Sequence, residues 1–162
     1  MTNVVIIGGG PGGYEAALVA SQLGADVTLI ERDGIGGAAV LTDVVPSKAL
    51  IAVAEAAIDT KGSSAIGVHA TDVTIDIADV NARLKKWAAS QSSDIRQRLL
   101  TQGVKVLVGN AELIDPQHVH VKLQDGTEVN LDAEVVLLAT GARPRELPSA
   151  VIDGHRILKW KQ

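Results

Sequence analysis

A chain of 162 residues is long enough for one domain with a buried core, and an apolar share of 46% is that of a globular protein. A net charge of −4 with mixed signs, and an aromatic content of 2%, exclude both a phosphate-tracking basic surface and a stacking platform, so nucleic acid is not the expected partner. The absence of cysteine excludes disulfide and thiol chemistry and suits a cytoplasmic protein, and no run reaches the roughly twenty apolar residues of a membrane span.

Met1-Thr2-Asn3 lacks the positive stretch of a secretory signal, and the apolar run Val4 to Ile7 that follows reads as a buried strand. Gly8, Gly10 and Gly13 come next at G-x-G-x-x-G spacing, and Tyr14 to Gly24 carries the Ala- and Leu-rich pattern of a helix. Each glycine has a physical task. Gly8 permits a tight turn, Gly10 lets backbone approach a pyrophosphate, and Gly13 lets the helix lie close on the sheet. The helix N-terminus adds amide donors and the positive end of its dipole. A second strand, Asp26 to Ile30, ends on Glu31, at the offset expected of an acid that binds a ribose hydroxyl. These features describe a dinucleotide site; the plainer alternative is a glycine-rich turn in an ordinary α/β domain.

Asp33 to Gly37 reads as a loop, and Ala38 to Val45 leads into Pro46-Ser47-Lys48. Pro46 suits the first turn of a helix that Ala49 to Ile58 continues. Lys61 to Asp76 is polar, with one short strand expected at Val68 to Val73. From Ile77 the residues Val80, Leu84, Trp87, Ile95 and Leu99 recur at helical spacing, with Asp76 as N-cap and Gly103 as the stop. Arg83, Lys85, Lys86, Arg96 and Arg98 read as the solvated face of that helix.

Val104 to Val108 is a strand that Gly109-Asn110 is expected to break before Glu112 to Ile114. His118 to Leu123 and Glu128 to Leu131 flank a D-G turn and form a hairpin. Glu134 to Ala139 is apolar without alternation, as a buried parallel strand is, and runs into Thr140-Gly141. The tail from Ala142 reads as irregular. His118 and His120 share a strand face without a third ligand nearby, so no metal site is expected, and no residue stands out as a catalytic acid, base or nucleophile.

Four motifs stand in one order: the glycine loop, Gly36-Gly37 leading to Pro46-Ser47-Lys48, the long helix, and a strand ending in Ala139-Thr140-Gly141-Ala142-Arg143-Pro144. Together they resemble the N-terminal FAD half of the pyridine-nucleotide–disulfide oxidoreductases, typified by dihydrolipoamide dehydrogenase, over essentially the whole chain. The resemblance implies an α/β, Rossmann-like FAD-binding fold, with a central parallel sheet led by a βαβ unit and a small antiparallel hairpin layer. It implies that Gly8, Gly10, Pro11, Gly12 and Gly13 hold the FAD pyrophosphate. Glu31 would bind the adenosine ribose with Arg32 beside it, and Gly37 and Ala38 would line the flavin-side phosphate. Lys48 would lie near flavin N5, the backbone around Ala111 would border the adenine, and Thr140 and Gly141 would close over the nucleotide.

One departure changes the chemistry. Dihydrolipoamide dehydrogenases carry a pattern like G-G-T-C-L-N-x-G-C-x-P-S-K, whereas Gly36 to Lys48 reads GGAAVLTDVVPSK, with Ala39 and Val44 at the cysteine positions. Neither side chain exchanges thiols. The chain is therefore similar to a disulfide-less, quinone-reductase branch, in which a hydride passes from NAD(P)H to the flavin and the reduced flavin reduces a quinone directly. Asp43 falls in the same register, either to tune the redox site or to solvate its loop.

The resemblance also implies segments that the sequence lacks: a second glycine motif for NAD(P)H, a later G-D segment and a C-terminal dimer domain. The expectation is a truncated unit. Residues 1–145 would be the N-terminal part of a discontinuous FAD-binding domain, and residues 146–162 a linker toward an NAD(P)-binding domain. The parent enzyme would be a homodimer, and the piece alone inactive. Two other readings remain: an NAD-binding Rossmann module of a dehydrogenase, which has no need of the A-T-G strand end and P-S-K segment, and a non-enzymatic Rossmann-like binding domain.

Overall fold

The computed structural model describes residues 1–159. Strand β1 (Asn3–Ile7) turns at Gly8 into helix α1 (Pro11–Gln22), and β2 (Asp26–Glu31) returns parallel to β1, with Val5 against Thr28 and Ile7 against Ile30. A short helix α2 (Gly37–Leu41) follows, then α3 (Val44–Gly62) and a 3-10 turn at Ser63–Ile66. Pro46 lies in the first turn of α3, where its missing N–H breaks no helical bond.

Helix α4 (Ile77–Thr101) begins and ends where the sequence indicates. The Asp76 carboxylate accepts the Asp79 amide at 3.0 Å, and Gly103 takes φ +81° just beyond the last turn. The Val104 amide then donates to the Leu99 carbonyl at 3.0 Å and closes the helix end.

Strand β3 (Lys105–Asp115) is one continuous strand, which corrects the expected break at Gly109-Asn110. Its first residues pair in parallel with β2, Val108 against Glu31. From Gly109 it pairs antiparallel with β4 (His118–Leu123), and β4 pairs with β5 (Glu128–Asp132). A Cβ on Gly109 would stand 2.5 Å from the Lys122 carbonyl oxygen. The glycine therefore marks a close approach of backbones rather than a strand end.

Strand β6 (Val135–Leu138) pairs in parallel with the other side of β1, which gives the sheet order β5-β4-β3-β2-β1-β6. The strand side chains alternate between two cores. Ile6, Val27 and Leu29 pack with Leu18 of α1 and Leu99 of α4, and Val5, Ile7 and Ile30 pack with Val119 and Val121 of β4. Covering on both faces is why β1 and β2 are apolar without alternation. Ile6, Leu29 and Leu99 are fully buried, each contributing about 1.5–3 kcal/mol of hydrophobic stabilisation.

Two other expectations are corrected. Residues Val68 to Val73 form no strand: they are almost wholly exposed, no sheet edge reaches them, and Asp72 sits at φ +53°. Strand β6 is apolar but not buried, because among the described residues it is the sheet's edge and pairs with β1 alone; Val135 and Leu138 are 49% and 59% exposed. Within Gly37–Ile66 a stretch reaches a mean hydropathy of 1.5, by length and composition enough to cross a membrane, although no unbroken apolar run is that long. Its helix is interrupted at Thr42-Asp43, and Lys48, Glu55 and Asp59 lie within α3, each costing roughly 2.5–3.5 kcal/mol at a bilayer centre.

Beyond Gly141 the described chain is irregular, held by a bridge between Leu147 and Ala150. In a turn after it the Asp153 carboxylate accepts the amides of His155, Arg156 and Ile157 at 2.8–2.9 Å. The end of the expected linker, residues 160–162, lies outside the described residues.

Candidate functional site

β1 lies between β2 and β6, so the chain runs from β1 to β2 on one side while β6 flanks β1 on the other, and the strand order reverses at β1. Open α/β sheets form their ligand crevice at such a point. Gly8 starts the turn there with φ +108°, and its amide donates to the Ile30 carbonyl at 2.8 Å. A Cβ on Gly8 would stand 2.3 Å from the Ala139 carbonyl oxygen. Thr140 and Gly141 thus follow directly from a strand end pressed against the glycine loop.

Gly13 meets the loop from the other side: its Cβ would lie 1.8 Å from the Gly8 carbonyl oxygen. Gly10 and Gly12 are different, with nothing within 4 Å of either Cβ position. Among the described residues no side chain caps α1, Pro11 at its first position has no N–H, and the Gly12 amide has no partner within the helix. The loop is a cradle whose open side is floored by backbone.

A second glycine loop docks on the first. The Gly36 amide donates to the Gly9 carbonyl at 2.7 Å, and a Cβ on Gly37 would stand 2.8 Å from the Gly10 Cα. Gly37 and Ala38, the first residues of α2, therefore border the cradle.

Glu31 ties the loops together. Its Oε2 accepts the Gly9 amide at 2.6 Å, and its Oε1 accepts the amides of Asp33 and Gly34 at 2.7 and 3.2 Å. A carboxylate has about four lone-pair sites, so three are committed and about one is left for a ligand hydroxyl. Arg32 turns outward instead. Its guanidinium pairs with the Asp33 carboxylate at 2.8 Å, and that carboxylate raises its pKa.

Ala111 belongs to the same end of the sheet. It lies on β3 opposite Val121, three residues past the level where Val108 meets Glu31, roughly 10 Å further along. Lys48 is exposed on α3, and among the described residues its side chain makes no hydrogen bond or ion pair. The fold thus gathers Gly8 to Gly13, Glu31, Gly37, Ala38, Thr140 and Gly141, and leaves Arg32 and Lys48 on its surface.

Sequence reasoning missed Gly9, Asp33 and Gly34, whose amides Glu31 holds, and the Gly36 amide that joins the loops. It also missed a cavity of about 360 Å³ between Glu31 and α4, lined in part by Ser92 and Arg96. The one signal for it is that Ser92 and Arg96 are four apart and so share a helix face. The two histidines are engaged in turn and hairpin contacts: His118 Nδ1 lies 2.7 Å from the Asp115 carboxylate, and His120 Nδ1 lies 2.9 Å from Asn130 Oδ1. The Gln117 amide, with His118, holds the Asp115 carboxyl below its ordinary pKa.

Residues 2–159 match the model of the pyridine nucleotide-disulphide oxidoreductase family. Over its whole length the chain is 46% identical to the NAD(P)H dehydrogenase (quinone) of Mycobacterium tuberculosis, covering 35% of that protein. Over 99% of its length it is 37% identical to the dihydrolipoyl dehydrogenase of Chlorobaculum parvum, covering 34% of it. The chain thus spans about a third of the length of the curated relatives it matches. The crystal structure of LpdA from M. tuberculosis superposes with a TM-score of 0.90 at 46% identity, over 99% of this chain and 36% of that one. An Escherichia coli flavoprotein disulfide reductase shares the fold at TM-score 0.75 and 21% identity, over 91% of this chain and 30% of that one. On these matches the chain belongs to the pyridine nucleotide-disulphide oxidoreductase family.

Proposed function

We propose that the chain is the FAD-binding N-terminal part of an NAD(P)H-dependent oxidoreductase that delivers electrons to a quinone. The observation that carries this is the paired glycine loops at the end of β1, open over Gly10 and Gly12 and fastened by Glu31. Backbone without Cβ atoms, an uncapped helix start and an adjacent acid suit a pyrophosphate flanked by a ribose. Gly8, Gly10, Pro11, Gly12 and Gly13 would hold the pyrophosphate, with Gly37 and Ala38 at its flavin side. Glu31 would take the ribose, Ala111 the adenine border, and Thr140 and Gly141 the cover, with Arg32 outside. Lys48 would place a cation beside the flavin ring, where positive charge favours the reduced form.

Bound flavin supplies a two-electron centre between a hydride donor and an acceptor. The chain's own residues bind and orient it. With Ala39 and Val44 in the cysteine register and no cysteine anywhere, they offer no thiol to relay electrons. That favours a quinone acceptor, and the 46% identical relative named an NAD(P)H dehydrogenase (quinone) supports the same choice.

The reading takes residues 1–145 as part of a discontinuous FAD domain and 146–162 as the link to an NAD(P)H domain. The parent would be a cytoplasmic homodimer, and the isolated piece would not turn over. The test is a visible spectrum of the purified chain after incubation with FAD and desalting. A retained band near roughly 450 nm is the expected result. The full-length protein should then oxidise NAD(P)H with a quinone and not with lipoamide. A colourless full-length protein overturns the reading, and lipoamide turnover overturns the acceptor.

A further inference from the structure

At the amino end of β1, the length of a strand away from the glycine loops, lies a cleft of about 250 Å³. It is lined by Asn3, Gln117, His118, Asp132, Ala133 and Glu134. Hydrogen bonds between segments far apart in sequence pin its backbone. The Asn3 side-chain amide donates to the Asp132 carbonyl at 2.6 Å, the Ala133 amide to the Gln117 carbonyl at 2.8 Å, and the Glu134 amide to the Asn3 carbonyl at 3.0 Å. The side chains that face the cleft therefore stand on fixed positions.

Both ring nitrogens of His118 face carboxylates. Nδ1 lies 2.7 Å from each Asp115 oxygen, and Nε2 lies 3.7 Å from Asp132 Oδ1. Asp115 also accepts the amides of Gln117 and His118, so it is an ionised acceptor and Nδ1 carries the ring's proton. In the neutral ring Nε2 is then a lone pair aimed at a second acceptor, a contact that a cation between them resolves. Zinc takes imidazole nitrogen and carboxylate oxygen at ~2.0–2.2 Å, and at those lengths a 3.7 Å span subtends roughly 120–135° at the ion. A shift of about 0.3 Å by the exposed Asp132 side chain brings the angle to tetrahedral. A carboxylate that fixes the far nitrogen of an imidazole, as Asp115 does, is the usual support of a metal-binding histidine. The neighbouring pair lacks these features. His120 Nε2 is 3.8 Å from Glu128, but Glu128 stands opposite Lys122 in the ladder, and the Nδ1 partner of His120 is the neutral Asn130 amide.

We propose that His118 Nε2 and the Asp132 carboxylate bind a divalent transition-metal ion of zinc's chemistry at this cleft, with Glu134 drawn in from its wall and Asp115 positioning the imidazole. Among the described residues no three His, Asp or Glu side chains are already gathered to hold an ion, so the site is an open one that water completes. An imidazole ligand favours zinc over the hard cations magnesium and calcium. Bound there, the ion would tie the turn before β4 and the end of β5 to the start of β6. This inference is independent of the dinucleotide reading, since the cleft shares no residue with the glycine loops.

The test titrates the untagged chain with zinc chloride and magnesium chloride by calorimetry, and follows the histidine ring nitrogens by NMR. Zinc should bind and magnesium at least about tenfold more weakly. Zinc should shift His118 Nε2 in the wild type, a readout that needs no variant. His118→Ala and Asp132→Asn should each weaken zinc by about tenfold or more, and His120→Ala should not. Asp115→Asn should weaken it by roughly 10–100-fold, and its ring-nitrogen shifts should show the His118 proton leaving Nδ1, which a merely structural role would not cause. Zinc should also raise the melting temperature of the wild type and not of His118→Ala. No zinc binding at ~1 mM, or binding that His118→Ala leaves unchanged, overturns the inference. So does magnesium binding as tightly as zinc. If acid shifts His118 Nε2 and zinc does not, the space between His118 and Asp132 belongs to a proton and the metal site falls.

Discussion

The Gly9 amide donates to Glu31 Oε2 at 2.6 Å, so the acid at the end of β2 reaches back to hold the glycine loop that follows β1. The same side chain holds Asp33 and Gly34 through its other oxygen. Glu31 is therefore an organiser of the loops, beside the ribose role proposed for it. Removing it leaves the part-buried amides of Gly9 and Gly34 without an acceptor, along with the exposed amide of Asp33, and Glu31→Ala should cost roughly 1–3 kcal/mol of stability. Glu31→Gln keeps one accepting oxygen and should cost less. Urea unfolding of both variants checks this, and a stability equal to wild type for Glu31→Ala would show that the contacts contribute nothing.

The glycines of the motif separate into two kinds. An alanine at Gly13 places a methyl 1.8 Å from the Gly8 carbonyl oxygen, a backbone atom that cannot give way, so about 1–3 kcal/mol or more should be lost. An alanine at Gly10 meets nothing, and φ −70° there is ordinary for any residue. Gly10→Ala should keep wild-type stability and lose FAD affinity by about tenfold or more. Thermal melts with and without FAD distinguish the two. Equal destabilisation by both substitutions would remove the case for an open cradle at Gly10.

β6 leaves an apolar edge open. Val135, Leu137 and Leu138 are exposed, and the strand pairs only with β1. Such an edge templates pairing with a second chain. At roughly 10–100 μM the chain should self-associate, and Val135→Lys should shift it toward monomer. Sedimentation velocity measures both. A monomeric wild type over that range would mean that the edge is not adhesive.

Asp115 should titrate below the ordinary carboxylate value, because its charged form accepts the Gln117 amide and faces His118. A folded-state pKa below the unfolded one stabilises the turn above the unfolded value, and that contribution is lost as pH falls through the folded one. The Gln117 and His118 amide resonances should therefore move together in acid, below the point where ordinary carboxylates titrate. Asp115→Asn should abolish the transition, and an ordinary midpoint in the wild type would contradict the hydrogen-bond assignment.

Much of this was written locally. Val4 to Gly13 specifies strand, turn and helix within ten residues: Gly8 takes the positive φ of the turn and Gly13 lies against the Gly8 carbonyl, whereas the close approach of Gly8 to Ala139 spans the sheet. Asp76 and Gly103 bound α4 by capping interactions within one turn. What neighbours in sequence cannot encode was misread. Gly109 reads as a break because glycine weakens a lone strand, but Lys122 lies against it only after the sheet closes. Val135 to Leu138 reads as buried because apolarity reports a preference for cover, while burial depends on what packs there. Glu31 was legible as an acid at the right offset, yet its grip on Gly9 spans 22 positions and required the parallel pairing of β1 with β2. The strand-turn-helix of the cradle follows from residues a few bonds apart, because φ preference and a missing Cβ act locally. The cavity under α4 depends on long-range packing of helix on sheet, which makes Ser92, Arg96, Val106 and Glu31 neighbours.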